Sequence, residues 1–128
     1  MKNNAKILIT GANGFLASTF INYIKDKFNI KADVIIRKNS ILKDSIKDSV
    51  ANIYFWNGNK LDIPNNYFND LDYVFHFATN FCRENDIEAS TKMADDNILF
   101  GTYLLSLLNG KTTFVNIASW TSYNEYDE

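Results

Sequence analysis

The sequence predicts an α/β fold: a mostly parallel sheet with helices on both faces. Three observations carry that prediction. Short apolar, β-branched runs alternate with longer segments of helical period. The first run, KILIT, breaks at once into a glycine turn that leads into a helix. The segment Asp72–Ala78, DYVFHFA, is apolar along nearly its whole length, as a strand covered on both faces should be.

Taken in order, Lys6–Thr10 reads as a buried strand. Residues 14–27 place Phe15, Thr19, Ile21 and Ile24 on a helical period, with Leu16, Phe20 and Tyr23 broadening the apolar face. Lys25 and Lys27 fall near its end, where the helix dipole favours positive charge. ADVIIR is the second strand, followed by a polar stretch and a short helix near Ile41–Lys47. ANIYFW, closed by Asn57-Gly58, is the third strand. Leu61–Leu71, interrupted by Pro64, reads as irregular, and DYVFHFA is the fourth strand. A longer helix is expected over Lys92–Leu108, turning Ile98, Leu105 and Leu108 to the sheet with Leu104 nearby. Asn109-Gly110 stops it, and TFVNIAS is strand five. Alternation of this kind implies right-handed β-α-β crossovers.

The bulk properties narrow the function classes. At 128 residues and 46% apolar, the chain can bury a core and is not disordered. The net charge is -2 and its 13 Lys and Arg are scattered, so no concentrated basic patch supports a nucleic-acid partner. One cysteine, Cys82, and one histidine, His76, exclude a disulfide framework, a zinc cluster or a histidine triad. No run approaches membrane-spanning length, and the apolar start is not expected to act as a signal peptide, because KILITG is too short and ends in glycine. The expectation is a soluble, cytoplasmic protein with no membrane partner.

The glycine turn has a physical reading. Gly11 removes a Cβ that would crowd the bend; Gly14 lets backbone and a ligand phosphate approach at the helix start; Ala17 is small enough for the helix to pack on the sheet. The exposed N–H groups and dipole there favour a pyrophosphate. Asn13 either tolerates an unusual backbone angle or donates a side-chain hydrogen bond. The alternative is an ordinary strand-to-helix turn without ligand. A nucleoside-triphosphate loop is a poor fit, because no lysine stands in the turn.

Gly11-Ala12-Asn13-Gly14-Phe15-Leu16-Ala17 resembles the Gly-x-x-Gly-Phe/Tyr-x-Gly signature of extended short-chain dehydrogenases/reductases, the epimerase and dehydratase type that modifies nucleotide sugars. Ala17 stands where that signature has a third glycine. DYVFHFAT is similar to the family's Asp-x-Val-h-His-x-Ala-Ala segment, where h is apolar. DNILFGTYLL resembles Asn-Val-x-Gly-Thr-x-x-Leu-Leu, and FVNIAS the strand that delivers an active-site Ser or Thr. The four signatures run in order along nearly the whole chain. The resemblance implies a Rossmann-like fold, incomplete relative to the full family fold. Residues 1–128 are then one dinucleotide-binding domain, expected to be the amino-terminal part of a longer protein.

The resemblance also implies site residues. Gly11, Asn13, Gly14, Phe15 and Leu16 surround the pyrophosphate, and the backbone of Phe77, Ala78 and Thr79 passes it and the nicotinamide ribose. Asn97 is placed beside the cofactor. Asp62 is the candidate near the adenine, although an exposed loop acid can equally have no role. Arg37-Lys38 close the second strand, where NAD-preferring proteins often place an acid; the pair either accepts the 2′-phosphate of NADP or is a solvated basic edge. The cofactor expected is therefore NAD or NADP. Ser119 is the catalytic candidate, its hydroxyl hydrogen-bonding substrate and assisting a tyrosine, with a helix or turn cap as its plainer role. His76 reads as a satisfied core histidine rather than an acid-base group.

The family's Tyr-x-x-x-Lys motif, expected after Ser119, is not found there: neither Tyr123 nor Tyr126 has a lysine four residues on, and the last lysine is Lys111. Little or no turnover is expected from this chain by itself. The leading function is the NAD(P)-binding portion of a nucleotide-sugar epimerase, dehydratase or reductase, with a nucleotide sugar as substrate of the complete protein. The second reading is a non-catalytic dinucleotide-binding or interaction module, and the third an inactive truncated product. Full-length relatives often dimerise through helices beside this domain, so the long helix at Lys92–Leu108 could contribute to a homodimer; the alternative is that its exposed apolar residues reflect the missing lobe.

Overall fold

The computed structural model describes residues 1–79 and 86–117. Five strands form one parallel sheet: β1 (Ile7–Thr10), β2 (Ala32–Arg37), β3 (Val50–Trp56), β4 (Tyr73–His76) and β5 (Thr113–Asn116). Their order is β3-β2-β1-β4-β5, so the chain leaves β1 towards one edge and returns to its other side at β4. β1 pairs with β2 through Leu8 opposite Asp33, and with β4 through Leu8 opposite Val74 and Thr10 opposite His76. The β2–β3 register shifts between Ala32 and Val34.

Alternation along β1 divides the core in two. Ile7 and Ile9 face α1 (Phe15–Phe28), joining Ala17, Ile21 and Ile24 on that helix and Val34 and Ile36 on β2. Leu8 faces the opposite layer, with Ile35, Trp56, Tyr67, Val74, Phe100 and Leu104. The helix stripe is narrower than its sequence suggests. Phe15 and Leu16 are 80% and 61% exposed and Tyr23 is 52% exposed, because the sheet meets the line through residues 17, 21 and 24, with Phe20 packed beside it on Phe75. α1 ends at Asn29, in the left-handed conformation at φ 55°.

Three expectations are corrected. The short helix after β2 is a 3-10 turn at Asp44–Ser49, a little later than expected. The stretch before β4, expected to be irregular, contains a 3-10 turn at Asn65–Asp70 that buries Tyr67 and Phe68. The long helix begins earlier than Lys92, with Asp86 accepting from the Ala89 N–H as its N-cap. It runs as α2 (Ile87–Ala94), a π-turn (Asp95–Leu99) and α3 (Phe100–Leu107). Ile98 and Leu105 are exposed, while Phe100, Gly101 and Leu104 face the sheet. A π-turn carries one residue more than a regular turn, which rotates the face presented before and after it.

Candidate functional site

The site grows from the bend after β1. Gly11 has φ +70°, and a Cβ there would lie 2.8 Å from the Ala78 nitrogen and 2.9 Å from both Ala78 Cα and the Phe77 carbonyl carbon. Both facts demand glycine: the backbone angle is left-handed, and the chain leaving β4 occupies the space a side chain would need. The Gly14 N–H then donates to the Gly11 carbonyl at 2.9 Å and closes the turn. Gly14 is the N-cap of α1; no side chain caps the first turn and no acid lies in it. The opening N–H groups of the helix are thus left for another acceptor. Phe15 and Leu16 have solvent-facing side chains, so what they bring to the turn is backbone.

Asn13 works through its side chain. Its Nδ2 donates to the Ile41 carbonyl at 2.9 Å and its Oδ1 accepts from the Lys43 N–H at 3.0 Å. Asn13 is not among the residues with positive φ. Of its two sequence alternatives, the hydrogen bond is the one seen: it clamps the segment after β2 to the glycine turn.

The end of β4 is fixed to β1 by a buried polar link. Thr10 Oγ1 accepts from the Ala78 N–H at 3.0 Å and lies 2.8 Å from His76 Nδ1. Burial lowers the His76 pKa below its ordinary value, which favours the neutral ring. The Thr10 hydroxyl and His76 Nδ1 share a hydrogen bond whose direction follows the tautomer of the ring. His76 packs against Phe100 and Phe114, in keeping with a structural role. Gly101 is buried over this ring; an added Cβ would sit 3.4 Å from His76 Nε2, an ordinary contact, so close approach alone does not require glycine there.

These pieces enclose a cleft of about 310 Å³ at the carboxyl ends of β1, β2 and β4. Gly11–Gly14 and Phe77–Thr79 form two of its walls, Ile35–Arg37 a third, and Trp56 and Phe100 stack at 4.9 Å across its base. Such a crevice, where strand order reverses beside β1, is where open α/β sheets receive ligands. Thr79 Oγ1 donates to Asn97 Oδ1 at 3.4 Å, bringing those two candidates together beside the cleft. Arg37 lines it and contacts Asp96 Oδ2 at 3.2 Å.

Asp62 lies apart from this lining. Its Oδ1 accepts from the Phe55 N–H at 2.6 Å, fastening the return after β3 to the edge of that strand. Ser119 falls outside the described residues. The sequence reading missed Ser40, Trp56, Asp96 and Phe100 as cleft residues. For Asp96 a signal existed. The Asn-Val-x-Gly pattern separates Asn from Gly by one residue fewer than Asn97-Ile98-Leu99-Phe100-Gly101 does. The π-turn accommodates the additional residue.

A parallel sheet of this order, with a glycine-walled crevice at its switch point, is a Rossmann-like domain. Residues 7–128 match the model of the NAD dependent epimerase/dehydratase family. The chain belongs to that family, as an NAD(P)-binding Rossmann-like domain related to nucleotide-sugar epimerases and dehydratases. It is similar to a dTDP-D-glucose 4,6-dehydratase of Dictyostelium discoideum, 32% identical over 114 residues, covering 78% of this chain and 25% of that protein. Among solved structures it resembles the UDP-glucuronic acid 4-epimerase of Bacillus cereus in complex with UDP-glucuronic acid and NAD. There the TM-score is 0.74 at 20% identity, covering 96% of this chain and 43% of the other. A UDP-glucose 4-epimerase gives a TM-score of 0.72 at 18% identity, covering 96% and 38%. The chain therefore spans less than half the length of these relatives, and the structural likenesses speak to the fold. No helix among the described residues is long and apolar enough to cross a membrane.

Proposed function

We propose that the cleft holds the adenosine-pyrophosphate part of a nicotinamide dinucleotide, and that the chain is the amino-terminal, cofactor-binding portion of a nucleotide-sugar epimerase, dehydratase or reductase. The observation that carries this reading is the Gly11–Ala78 contact. It brings the uncapped start of α1 and the backbone after β4 against one crevice, and no carboxylate stands in the first helical turn. A pyrophosphate would take the N–H groups opening α1, with Gly14 leaving room for close approach. Phe77, Ala78 and Thr79 would flank the ribose towards the nicotinamide, and Asn97 would hold Thr79 in place.

The dinucleotide, when bound, supplies a hydride acceptor or donor at nicotinamide C4. This chain's part is to orient it and keep its diphosphate off water. Ser119 would hydrogen-bond the substrate hydroxyl or carbonyl in the complete protein, whose relatives include a UDP-glucose 4-epimerase and a dTDP-D-glucose 4,6-dehydratase. The proton-transferring Tyr-x-x-x-Lys pair is expected after Ser119, and none follows that residue here, so binding rather than turnover is the activity we assign to these 128 residues. Calorimetric titration with ADP-ribose tests the reading. One saturable site is expected, and a folded chain that takes up no ADP-ribose would refute it.

A further inference from the structure

The second strand ends in Arg37-Lys38, so the acid commonly found there is missing from its usual place. The structure provides a carboxylate from another element. Asp96, in the π-turn, enters the same cleft wall and contacts the Arg37 guanidinium at 3.2 Å. Its side chain is 18% exposed, whereas that of Arg37 is 54% exposed. Lys92, one turn earlier, approaches the same oxygen at 3.7 Å but does not line the cleft, and neither does Lys38. Among the described residues, the charged side chains of the lining are thus Arg37 and Asp96, which cancel.

We propose that Asp96 is the specificity determinant of this site, replacing the absent strand-end acid and holding Arg37 away from a 2′-phosphate. The inference rests on the dinucleotide reading of the cleft. A phosphomonoester of roughly −1.5 to −2 charge at Arg37 would have to displace or face a carboxylate. A ribose diol would not, because its hydroxyls donate to carboxylate oxygens. The π-turn is the device that makes this geometry: the extra residue between Asn97 and Gly101 lets Phe100, Gly101 and Leu104 face the sheet while Asp96 reaches β2.

The test is isothermal titration of the 128-residue chain with NAD and with NADP, on the natural sequence, Asp96→Asn, Arg37→Gln and the double variant. The natural chain is expected to bind NAD about tenfold or more tightly than NADP. Asp96→Asn should narrow or invert that ratio by about tenfold, mainly through gained NADP affinity, and Arg37→Gln in the same background should abolish the gain. Thermal melts of each variant verify folding, and Asp96→Ala repeats the test should Asn disturb the turn. Equal loss of both cofactors in Asp96→Asn would mark a merely structural role and overturn the proposal. So would NADP preference in the natural chain, which would leave the site reading intact. Binding of neither cofactor by the folded natural chain would remove the site reading itself, and this inference with it.

Discussion

At the amino-terminal end of the sheet, Asp33 is closed off by protein donors: the Tyr67 hydroxyl at 2.7 Å and Asn52 Nδ2 at 2.8 Å. Lys6 lies 4.0 Å from the Tyr67 ring centre and donates to the Tyr67 carbonyl at 2.9 Å and to Asp70 at 2.7 Å. At the carboxyl-terminal end the same strands finish in backbone, a helix start without a side-chain cap and a polar pair open to a cleft. The difference lies in where hydrogen-bonding capacity is spent. One end uses it internally and gains rigidity. The other leaves part of it for a ligand, and its alignment depends on the closed end and on the Thr10–His76–Ala78 link.

Substitutions at the two ends should separate these roles. The largest effect is expected from Gly11→Ala, which forces a left-handed angle and a backbone clash at once. A loss of about 2–5 kcal/mol follows from those costs, together with loss of ADP-ribose binding. Urea unfolding and calorimetry measure the two. At the opposite end, Tyr67→Phe removes a donor from a buried carboxylate and should cost about 1–3 kcal/mol. There the ADP-ribose affinity of the folded fraction should remain unchanged. If it fell as far as in Gly11→Ala, the ends would not be separable.

The smallest effect concerns pH. Burial depresses the His76 pKa in the folded chain, so the unfolded chain takes up that proton first as pH falls. The contribution of neutral His76 is full above its unfolded value of about 6.5 and is lost as pH drops through the depressed folded value. Unfolding curves between about pH 8 and pH 5 should show this slope in the natural chain, and His76→Gln should flatten it. The paired surface acids Asp44, Asp70 and Asp72 are shifted down from 3.8 by their lysine or backbone partners and act only in stronger acid.

Much of the fold was legible because its signals are local. Strand runs such as ADVIIR carry their own period and partners, and the glycine turn follows from steric limits on a tight bend. The helix after β4 was harder. A π-turn is invisible to a uniform period, so Ile98 and Leu105 were assigned inward although the structure exposes both. Asp96 was missed for the same reason, since its place depends on a rotation produced by one extra residue. Asp62 illustrates another limit: Asp62-Ile63 matched the family's acid-apolar pair in residue type, while Asn59 stood at the more usual distance after the strand, and a bridge between Trp56 and Leu61 sets Asp62 against the strand edge. Long-range pairing decides such positions.

The most direct measurement of the central claim is an amide-correlation NMR titration of the 15N-labelled chain with NAD. The account expects saturable shifts concentrated on the amides of Gly11–Leu16 and Phe77–Thr79, with those of Asp33, Asn52 and Tyr67 left in place. A folded chain whose glycine-turn amides do not move, or whose shifts gather instead around Lys60–Phe68, would contradict it.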